Sequence, residues 1–335
     1  MILVTGGTGL VGAHLLVQLT RTETRIKAIC RPESDVKKVE KIFSYYSDEY
    51  REYYKKITWV IADINDIPAL EIAFEGITHV YHCAALISFD PKDYNKMNHV
   101  NCNGTATIVN LSIAYNIQKL CYVSSIATIG KNIGHPEVNE ESEWTYKDAN
   151  VYAHTKYNAE MEVWRGSQEG LSMIIINPGV ILGPGFWDSG SGAFFTTAKK
   201  NYQYYPPNGT GFISVNDVVQ LMLLGMNSDV HKERFIAVSE NLSYKAILTQ
   251  ISKGLGIKPP SKELKFWQLQ ILWRLDWLRS IVSNKGRKIT KKTVKSLRED
   301  TFYSHQKAVA TFNFKFEPIE KIVGFCCEKF LEEHP

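Results

Sequence analysis

Short apolar runs alternate with longer segments of helical periodicity over the first half of the chain. The apolar runs cover residues 2–4, 25–30, 58–62, 79–83, 119–124 and 172–177. Between them, residues 10–20, 66–74, 94–115 and 151–168 space their apolar positions as amphipathic helices do. Because strands that alternate with helices form βαβ units, this pattern predicts six parallel strands covered by helices on both faces.

The alternation ends near residue 177, and Gly and Pro then interrupt the chain as far as residue 211. Helices are predicted at 215–225 and 244–254, with a short strand at 235–238 between them. The predicted fold class is therefore α/β, with a Rossmann-type doubly wound parallel sheet in residues 1–177 and a smaller C-terminal substrate lobe in residues 178–335. Within that lobe, we expect residues 212–240 to return to the Rossmann core.

Two further helical segments have a less obvious role. Residues 36–56 are rich in Tyr and Lys, which predicts a solvated structural helix. Residues 264–282 carry an apolar stripe formed by Leu264, Trp267, Ile271, Leu275, Leu278 and Val282. Such a stripe is typical of a core or lid helix. Residues 285–298 follow with seven basic and no acidic side chains, so a weak contact of 264–298 with an anionic membrane surface is the alternative.

Composition narrows the class of protein without identifying its chemistry. The 335 residues are 44% hydrophobic and 22% charged, as in ordinary folded chains, and the net charge of +4 becomes −3 without the basic run. This charge does not predict a nucleic-acid partner. The six cysteines lack metal-ligand spacing, so we expect reduced thiols and no metal site. With neither a signal-peptide pattern nor about 18 uninterrupted apolar residues, the sequence predicts a cytoplasmic protein.

A glycine-rich segment directly follows the first predicted strand and opens the first predicted helix. Its glycines, Gly6, Gly9 and Gly12, follow the spacing G-x-x-G-x-x-G. The first permits a tight turn, the second lets the backbone approach a pyrophosphate, and the third lets the helix pack against the strand. A tight turn without a ligand is the alternative. The context favours dinucleotide binding by Gly6, Thr8, Gly9, Leu10, Val11 and Gly12.

The end of the second predicted strand bears on the choice of dinucleotide. An acidic residue usually binds the ribose of NAD there, whereas this strand ends at Arg31. Arg31 can bind a 2′-phosphate, with Lys38 nearby to add charge, so NADP(H) is the predicted cofactor and NAD(H) the alternative. Asp63, followed by Ile64, is a candidate acceptor for the adenine amino group. A helix cap or turn is the other interpretation of Asp63.

A candidate acid and base lie four residues apart in the predicted helix 151–168. Tyr152 and Lys156 project from one face of that helix. A nearby cation favours phenolate, so Lys156 is expected to lower the pKa of Tyr152 from its ordinary value near 10. The fifth strand ends in Ser124 and Ser125, either of which could hold a substrate carbonyl beside the phenol.

Seven motifs occur in a fixed order along residues 5–219. They are TGGTGLVG at 5–12, HCAA at 82–85, NCNGT at 101–105, YVSSIATIG at 122–130, YAHTK at 152–156, NPGVILGPG at 177–185 and GFISVNDVV at 211–219. In these motifs the chain resembles the extended or atypical short-chain dehydrogenases/reductases, the NAD-dependent epimerase/dehydratase superfamily.

The resemblance implies roles for individual residues. Ser125, Tyr152 and Lys156 would form the catalytic triad, with Ser125 preferred over Ser124 because it precedes Gly130 by five residues. Further cofactor contacts are implied for Ala84, Ala85 and Asn101 in the nicotinamide pocket and for Pro178 and Val180 along the carboxamide. The resemblance also implies a homodimer formed through helices 94–115 and 151–168.

Three local features favour one branch of this superfamily. Dehydratases place Asp-Glu after the catalytic hydroxyl, where this chain has Ile126-Ala127, and epimerases carry an arginine where this chain has Gly211 before Phe212. Residues 177–185 are similar to dihydroflavonol reductases and cinnamoyl-CoA reductases, with 3β-hydroxysteroid dehydrogenase-like members beside them. This predicts NADPH-dependent interconversion of a carbonyl and an alcohol on a bulky apolar or aromatic small-molecule substrate.

Two other functions remain as alternatives at this point. One is a nucleotide-sugar epimerase that retains its NAD(P). The other is a non-catalytic NADP-sensing protein, which is disfavoured because such sensors generally lose the Tyr/Lys pair.

Overall fold

The computed structural model describes residues 1–23, 25–130, 137–147, 149–283, 286–287, 289–297 and 300–335. Its strands are β1 (Ile2–Thr5), β2 (Ile26–Cys30), β3 (Ile57–Ile61), β4 (His79–His82), β5 (Lys119–Val123), β6 (Glu137–Val138), β7 (Met173–Pro178), β8 (Val180–Leu182), β9 (Tyr204–Tyr205), β10 (Gly209–Ser214), β11 (Glu233–Ala237), β12 (Glu240–Ser243), β13 (Lys262–Glu263) and β14 (Phe302–Tyr303). Its α-helices are α1 (Leu10–Thr22), α2 (Val36–Ser44), α3 (Tyr50–Tyr54), α4 (Ile67–Phe74), α5 (Tyr94–Met97), α6 (Gly104–Ala114), α7 (Val151–Gln168), α8 (Ala193–Lys199), α9 (Val215–Asn227), α10 (Tyr244–Gly254), α11 (Phe266–Ser283), α12 (Lys291–Ser296), α13 (Gln306–Phe312) and α14 (Ile319–Glu333).

A parallel sheet forms the centre of the molecule. Within the described residues it has seven strands in the order β11-β7-β5-β4-β1-β2-β3. Every neighbouring pair is parallel, with Val4 opposite Tyr81 and Val123 opposite Ile176. The order confirms the doubly wound Rossmann-type fold. The six predicted strands are present within one residue of their predicted ends, and β11 adds a seventh.

Helices cover both faces of this sheet. Because successive strand residues point to opposite faces, Leu3 and Val4 of β1 lie in two separate apolar clusters. The cluster around Val4 includes side chains from α1, α2 and α9, and the cluster around Leu3 includes side chains from α4, α6 and α7. This double cover explains why the strands are apolar throughout instead of alternating with polar residues.

A second apolar core lies outside the central sheet. Helices α8, α10 and α14 pack around a three-stranded sheet in which β10 pairs with β8 in parallel and with β12 in antiparallel register. Between these elements the chain returns to the main sheet, because α9 packs against α1 and β11 pairs with β7. The two cores are therefore interleaved along the chain.

The segment predicted as one solvated helix, residues 36–56, differs from that prediction. It forms two helices, α2 and α3, and its five tyrosines pack against the central core instead of facing solvent: Tyr45, Tyr46, Tyr50, Tyr53 and Tyr54. Three of their hydroxyls still donate to polar partners, those of Tyr45, Tyr46 and Tyr54, and Tyr54 donates to the Val36 carbonyl at 3.1 Å. The amphipathic tyrosine ring explains the error, because it suits a partly buried site as well as an exposed one.

The stripe on α11 is the clearest departure from expectation. Its core interpretation is wrong, because Trp267, Ile271, Leu275, Leu278 and Val282 are exposed, while Leu269 and Ser280 on the opposite side are buried. Lys285, Lys288 and Arg298 of the basic run lie outside the described residues. Among the residues that are described, no helix is both long enough and apolar enough to cross a membrane.

Candidate functional site

The glycine loop connects β1 to α1 at the carboxyl edge of the sheet. Gly6 has a φ of 67°, in the left-handed region that favours glycine. A Cβ on Gly12 would lie 2.2 Å from the Gly6 carbonyl oxygen, so only glycine lets the helix begin this close to the turn. Gly9 differs, because a Cβ there meets only that oxygen at 3.4 Å. It caps α1 without a side-chain hydrogen bond from the described residues, which leaves helix amides available to an anion.

A buried hydrogen-bond network holds this loop against the end of β4. The Thr5 hydroxyl lies 2.6 Å from His82 Nδ1 and accepts from the Ala84 amide at 3.2 Å. On its other side, His82 Nε2 lies 2.9 Å from the Thr105 hydroxyl. Burial, together with the nearby Lys156, lowers the pKa of His82 to about 3, so this imidazole is neutral. His82 is thus a packed strand residue that joins the end of β1 to the start of α6.

Asn101 connects the helix after β4 to the helix that carries Tyr152. The predicted helix 94–115 is interrupted by a π-helical turn at Asn98–Asn103, a feature frequent at functional sites. This turn buries Asn101, which exchanges hydrogen bonds with the Leu86 backbone at 2.7 and 2.9 Å and donates to Thr155 Oγ1 at 3.0 Å. The bond from Asn101 to Thr155 therefore holds α7 in place between Tyr152 and Lys156.

Tyr152 and Ser125 lie together at the carboxyl end of β5. Tyr152 is in the first turn of α7, which Asn150 caps by accepting from the Ala153 amide at 2.8 Å. Ser125 caps the short turn after β5, and its hydroxyl accepts from the Ala127 amide at 3.2 Å. Burial raises the pKa of Tyr152 to about 12, and the nearby Ser125 hydroxyl opposes this rise only in part. The phenol is consequently protonated at neutral pH.

Lys156 has a different partner from the one that helical spacing predicts. Its ammonium donates to the Tyr122 hydroxyl at 2.6 Å and to the Val123 carbonyl at 2.9 Å. Burial lowers the pKa of Lys156 to about 7, although Glu160 and Cys83 oppose that change. The expectation that Lys156 lowers the pKa of Tyr152 is therefore wrong for this arrangement, because burial dominates both groups.

A buried carboxylate one turn beyond Lys156 supports this end of the sheet. Glu160 Oε2 accepts from Ser124 at 2.5 Å, Thr128 at 2.6 Å and Asn177 at 2.9 Å, and its Oε1 lies 3.2 Å from Arg234 Nη1. Ser124 is thereby occupied in the network, while Ser125 faces Tyr152. Sequence reasoning missed Glu160 and Arg234 as a pair, because their contact joins distant positions of the chain.

The residues proposed for the adenosine half of a dinucleotide are arranged along the ends of β2 and β3. Arg31 is exposed at the tip of β2, and its Nε lies 3.2 Å from Glu33 Oε1. The expectation that no carboxylate lies at this tip is therefore wrong, because the Glu33 side chain folds back to Arg31. The Lys38 ammonium is directed elsewhere, over the Phe186 ring at 4.5 Å.

Asp63 and Ile64 follow β3 at the same edge. Asp63 Oδ1 accepts from the Asn65 amide at 2.9 Å, which is the turn role left open by the sequence. Ile64 is buried against Gly104 at the start of α6, where a Cβ would lie 2.8 Å from its side chain.

The remaining nicotinamide-side candidates lie just after β4 and around the turn from β7 to β8. Ala84 borders Gly6, where a Cβ would lie 2.6 Å from the Ala84 nitrogen, and Ala85 is exposed beyond it. Pro178 is buried at the end of β7, and Val180 is half-buried at the start of β8. In the order of the central sheet, Pro178 lies on the other side of β5 from the glycine loop.

The loop after β4 supplies contacts that the sequence analysis did not identify. The Phe89 ring meets the Tyr152 ring edge to face, with centroids 5.9 Å apart, and both Phe89 and Ile87 are exposed. Asp90 accepts from the Arg287 amide at 2.7 Å, which brings the segment between α11 and α12 to this loop. Such contacts between loops carry no local sequence signal, so only the folded chain reveals them.

Fold and site together define a dinucleotide-binding protein of the Rossmann class, with a Tyr/Lys helix beside the cofactor edge. A family model described as "NAD dependent epimerase/dehydratase family" matches residues 2–237. The chain belongs to this family, whose members are NAD(P)-dependent oxidoreductases and epimerases.

Among curated relatives, the chain is similar to reductases and to a sterol demethylase protein. It is 28% identical to a putative dihydroflavonol 4-reductase of Synechocystis sp., over 91% of this chain and 87% of that protein. It is 26% identical to sterol demethylase protein B of Methylococcus capsulatus, over 77% and 75%. It is 24% identical to tetraketide alpha-pyrone reductase 2 of Arabidopsis thaliana, over 73% and 80%.

Solved structures share the fold across the whole chain. The crystal structure of gox2253 superposes with a TM-score of 0.82 at 24% identity, covering 99% of this chain and 98% of that one. UDP-glucose 4-epimerase from Thermotoga maritima superposes with a TM-score of 0.76 at 17% identity, covering 100% and 99%. At these identities the likeness establishes the fold alone.

Proposed function

We propose that the protein is an NADPH-dependent reductase or dehydrogenase that interconverts a carbonyl and an alcohol. Ser125, Tyr152 and Lys156 would act at the reacting centre. The observation that carries the proposal is that the Tyr152 phenol and the Ser125 hydroxyl lie beside each other at the carboxyl edge of the sheet, where open α/β sheets bind ligands. When bound, the nicotinamide would supply or accept the hydride.

The residues of this chain would manage the proton and the charge. The Ser125 hydroxyl would hold the carbonyl oxygen by a hydrogen bond. Tyr152, protonated at neutral pH because burial raises its pKa to about 12, would give its proton to that oxygen as it gains charge. In the oxidation direction the phenolic oxygen of Tyr152, deprotonated, would take the proton from the alcohol. Lys156, which donates to Tyr122 and Val123 in this arrangement, would hydrogen-bond the ribose of a bound nicotinamide.

The predicted cofactor contacts fit a dinucleotide with a 2′-phosphate. Uncapped amides after Gly9 are suited to a pyrophosphate, and Arg31 is exposed at the tip of β2. A net reductase must exchange its cofactor after each turnover, which favours NADPH. The predicted homodimer through helices 94–115 and 151–168 remains part of this proposal.

An apolar substrate is favoured by the side chains around Tyr152. Phe89 contacts the Tyr152 ring and remains exposed, as does the neighbouring Ile87. Exposed apolar side chains beside a reacting group are typical of pockets for hydrophobic molecules. We therefore propose a bulky apolar or aromatic ketone or aldehyde.

The epimerase alternative is disfavoured by the packing around Gly211. Epimerases of this family would need an arginine at this position to hold a diphosphate. In this chain a Cβ on Gly211 would lie 2.6 Å from a Val238 methyl carbon, so a long side chain has no room there. The structural likeness to UDP-glucose 4-epimerase is a likeness of fold.

The test is turnover of NADPH by the purified protein with a panel of aromatic and alicyclic ketones and aldehydes. We expect carbonyl-dependent oxidation of NADPH that is lost in Tyr152→Phe. If the protein instead retains NAD through purification and equilibrates nucleotide sugars without net oxidation, it is an epimerase. If it binds NADPH but turns over neither class, the sensing alternative replaces the proposal.

A further inference from the structure

Helix α11 presents its apolar face to solvent. Trp267, Ile271, Leu275, Leu278 and Val282, here called the outer face, recur at spacings of four and three residues and are each 48–87% exposed. Trp277 and Ile281 widen this face, and at 3.6 residues per turn the seven side chains cover an arc of roughly 160°. A surface helix normally turns such an arc toward the core.

The inner side of α11 already packs against the protein, so the outer face is not exposed merely because the helix lacks contacts with the rest of the fold. Leu269 and Ser280 are buried beneath the helix, and Asp276 accepts from Arg279 and from the Ile289 amide. These contacts fix the rotation of α11 relative to the protein. The outer face therefore stays exposed unless something outside the fold covers it.

The segment around this face is strongly basic. Residues 264–298 contain ten Lys and Arg residues and a single Asp, so the segment carries +9 and the remainder of the chain −5. Helix α12 packs against α11, and its Lys291, Lys292 and Lys295 are all exposed. Arg274, on the outer side of α11, lies over the Trp273 ring at 4.5 Å. Cationic and large apolar side chains are thus combined in one surface.

We propose that α11 and α12 bind the surface of a membrane that contains anionic lipids, with the outer face inserted among the acyl chains. Helices that lie in a lipid interface carry tryptophan, leucine and isoleucine on one side, with lysine and arginine beside them. Charge complementarity selects this occupant over a second copy of the chain. A symmetric dimer through the same face would bring two segments of +9 together, whereas anionic headgroups neutralise them.

The membrane-binding surface lies next to the substrate side of the candidate site. The Arg287 amide donates to Asp90, and the neighbouring Phe89 contacts Tyr152. Lys292 of α12 donates to the carbonyl of Ala149, two residues before α7. Membrane binding does not depend on the proposed reaction, and its test requires no turnover.

The test is flotation of the purified full chain with phosphatidylcholine vesicles, with and without phosphatidylserine, at low and high salt. We expect binding at least tenfold stronger with phosphatidylserine, weakened by salt because charges at the surface are screened. Leu275→Ser/Leu278→Ser should abolish flotation, and Lys265→Gln/Lys291→Gln should weaken it at least tenfold. Ile72→Ser/Leu331→Ser, which changes exposed apolar residues elsewhere, is the matched control and should bind normally.

Three results would overturn the proposal. The first is that wild-type protein does not bind phosphatidylserine vesicles at low salt. The second is that the control variant loses as much flotation as Leu275→Ser/Leu278→Ser does. The third is a dimer in sedimentation that Leu275→Ser/Leu278→Ser dissociates, since this would identify a second copy as the occupant. Thermal melting of each variant, expected to match wild type at these exposed sites, verifies that lost binding is not lost folding.

Discussion

The ammonium of Lys156 lies 2.6 Å from the hydroxyl of Tyr122, inside a region closed to solvent. Burial lowers the pKa of Lys156 from 10.5 to about 7. The folded protein therefore releases this proton near pH 7, whereas the unfolded chain keeps it up to its ordinary pKa. Stability contributed by this group consequently rises with pH between 7 and 10 and is lost as pH falls through that range.

Lys156→Met should remove this pH dependence. The free energy of unfolding of the variant minus that of wild type should be more favourable at pH 7 than at pH 9, by about 2 kcal/mol. Loss of the hydrogen bonds to Tyr122 and Val123 costs the same at both pH values. The change in the free-energy difference between pH 7 and pH 9 therefore reports the protonation of Lys156. Urea unfolding at the two pH values measures it. Parallel curves for variant and wild type would contradict a lowered pKa in the folded state.

Tyr152→Phe should lower kcat by about 10²–10⁴-fold, the contribution of one positioned general acid. The ring contact with Phe89 is retained, so the affinity for NADPH and the melting temperature should change little. Tyr157→Phe is the matched control, because Tyr157 lies on the same helix and its ring stacks on Trp144. If the control loses as much activity as Tyr152→Phe, or if Tyr152→Phe retains full activity, Tyr152 is not the proton donor.

The sequence predicts the sheet and the glycine loop well because both depend on local order. Six apolar runs each give one strand of the sheet, and Gly12 is confined by the Gly6 carbonyl within the same βα turn. The partner of Lys156 could not be predicted in this way. Spacing of i and i+4 indicates a shared helix face, but it does not reveal that Tyr122 on a neighbouring strand is the nearer acceptor.

The outward face of α11 was mispredicted for a related reason. Periodicity shows that apolar residues share one side of a helix, but it does not show which side faces the protein. Here Leu269 and Ser280, outside the stripe, are the buried positions. The predicted NADP preference, homodimer and cytoplasmic location stay predictions, because each depends on a ligand, a partner or a compartment.

Glu160→Gln should destabilise the protein by about 3–5 kcal/mol, because it leaves the Arg234 guanidinium partly buried without its counter-charge. Adding Arg234→Met should recover part of that loss, since both charges are then absent. The control is Arg165→Met, whose ion pairs with Glu162 and Glu169 are at the surface and should cost less than about 1 kcal/mol. A double-mutant cycle in urea without coupling between Glu160 and Arg234 would contradict the buried pair.

Gly9→Ala and Gly12→Ala should separate cofactor binding from folding. A methyl group on Gly12 would lie 2.2 Å from the Gly6 carbonyl oxygen, so Gly12→Ala should cost about 1–3 kcal/mol of stability. A methyl group on Gly9 has space, so Gly9→Ala should melt as wild type does. It should nevertheless weaken NADPH binding at least tenfold if the backbone there approaches the pyrophosphate. Normal NADPH affinity of Gly9→Ala in fluorescence titration would place the phosphates elsewhere.

Arg31→Ala should lower the ratio of kcat/KM for NADPH over NADH by about 10–100-fold, the effect of one hydrogen-bonded contact to a charged group. Glu33→Gln should change the ratio in the opposite direction, because Glu33 competes with a 2′-phosphate for the Arg31 guanidinium at 3.2 Å. Both effects should shrink at high salt, since Arg31 is exposed. Lys38→Gln is the comparison, because the Lys38 ammonium lies over Phe186 and should contribute less. A ratio unchanged by Arg31→Ala, or lowered more by Lys38→Gln, would assign the choice of cofactor to other residues.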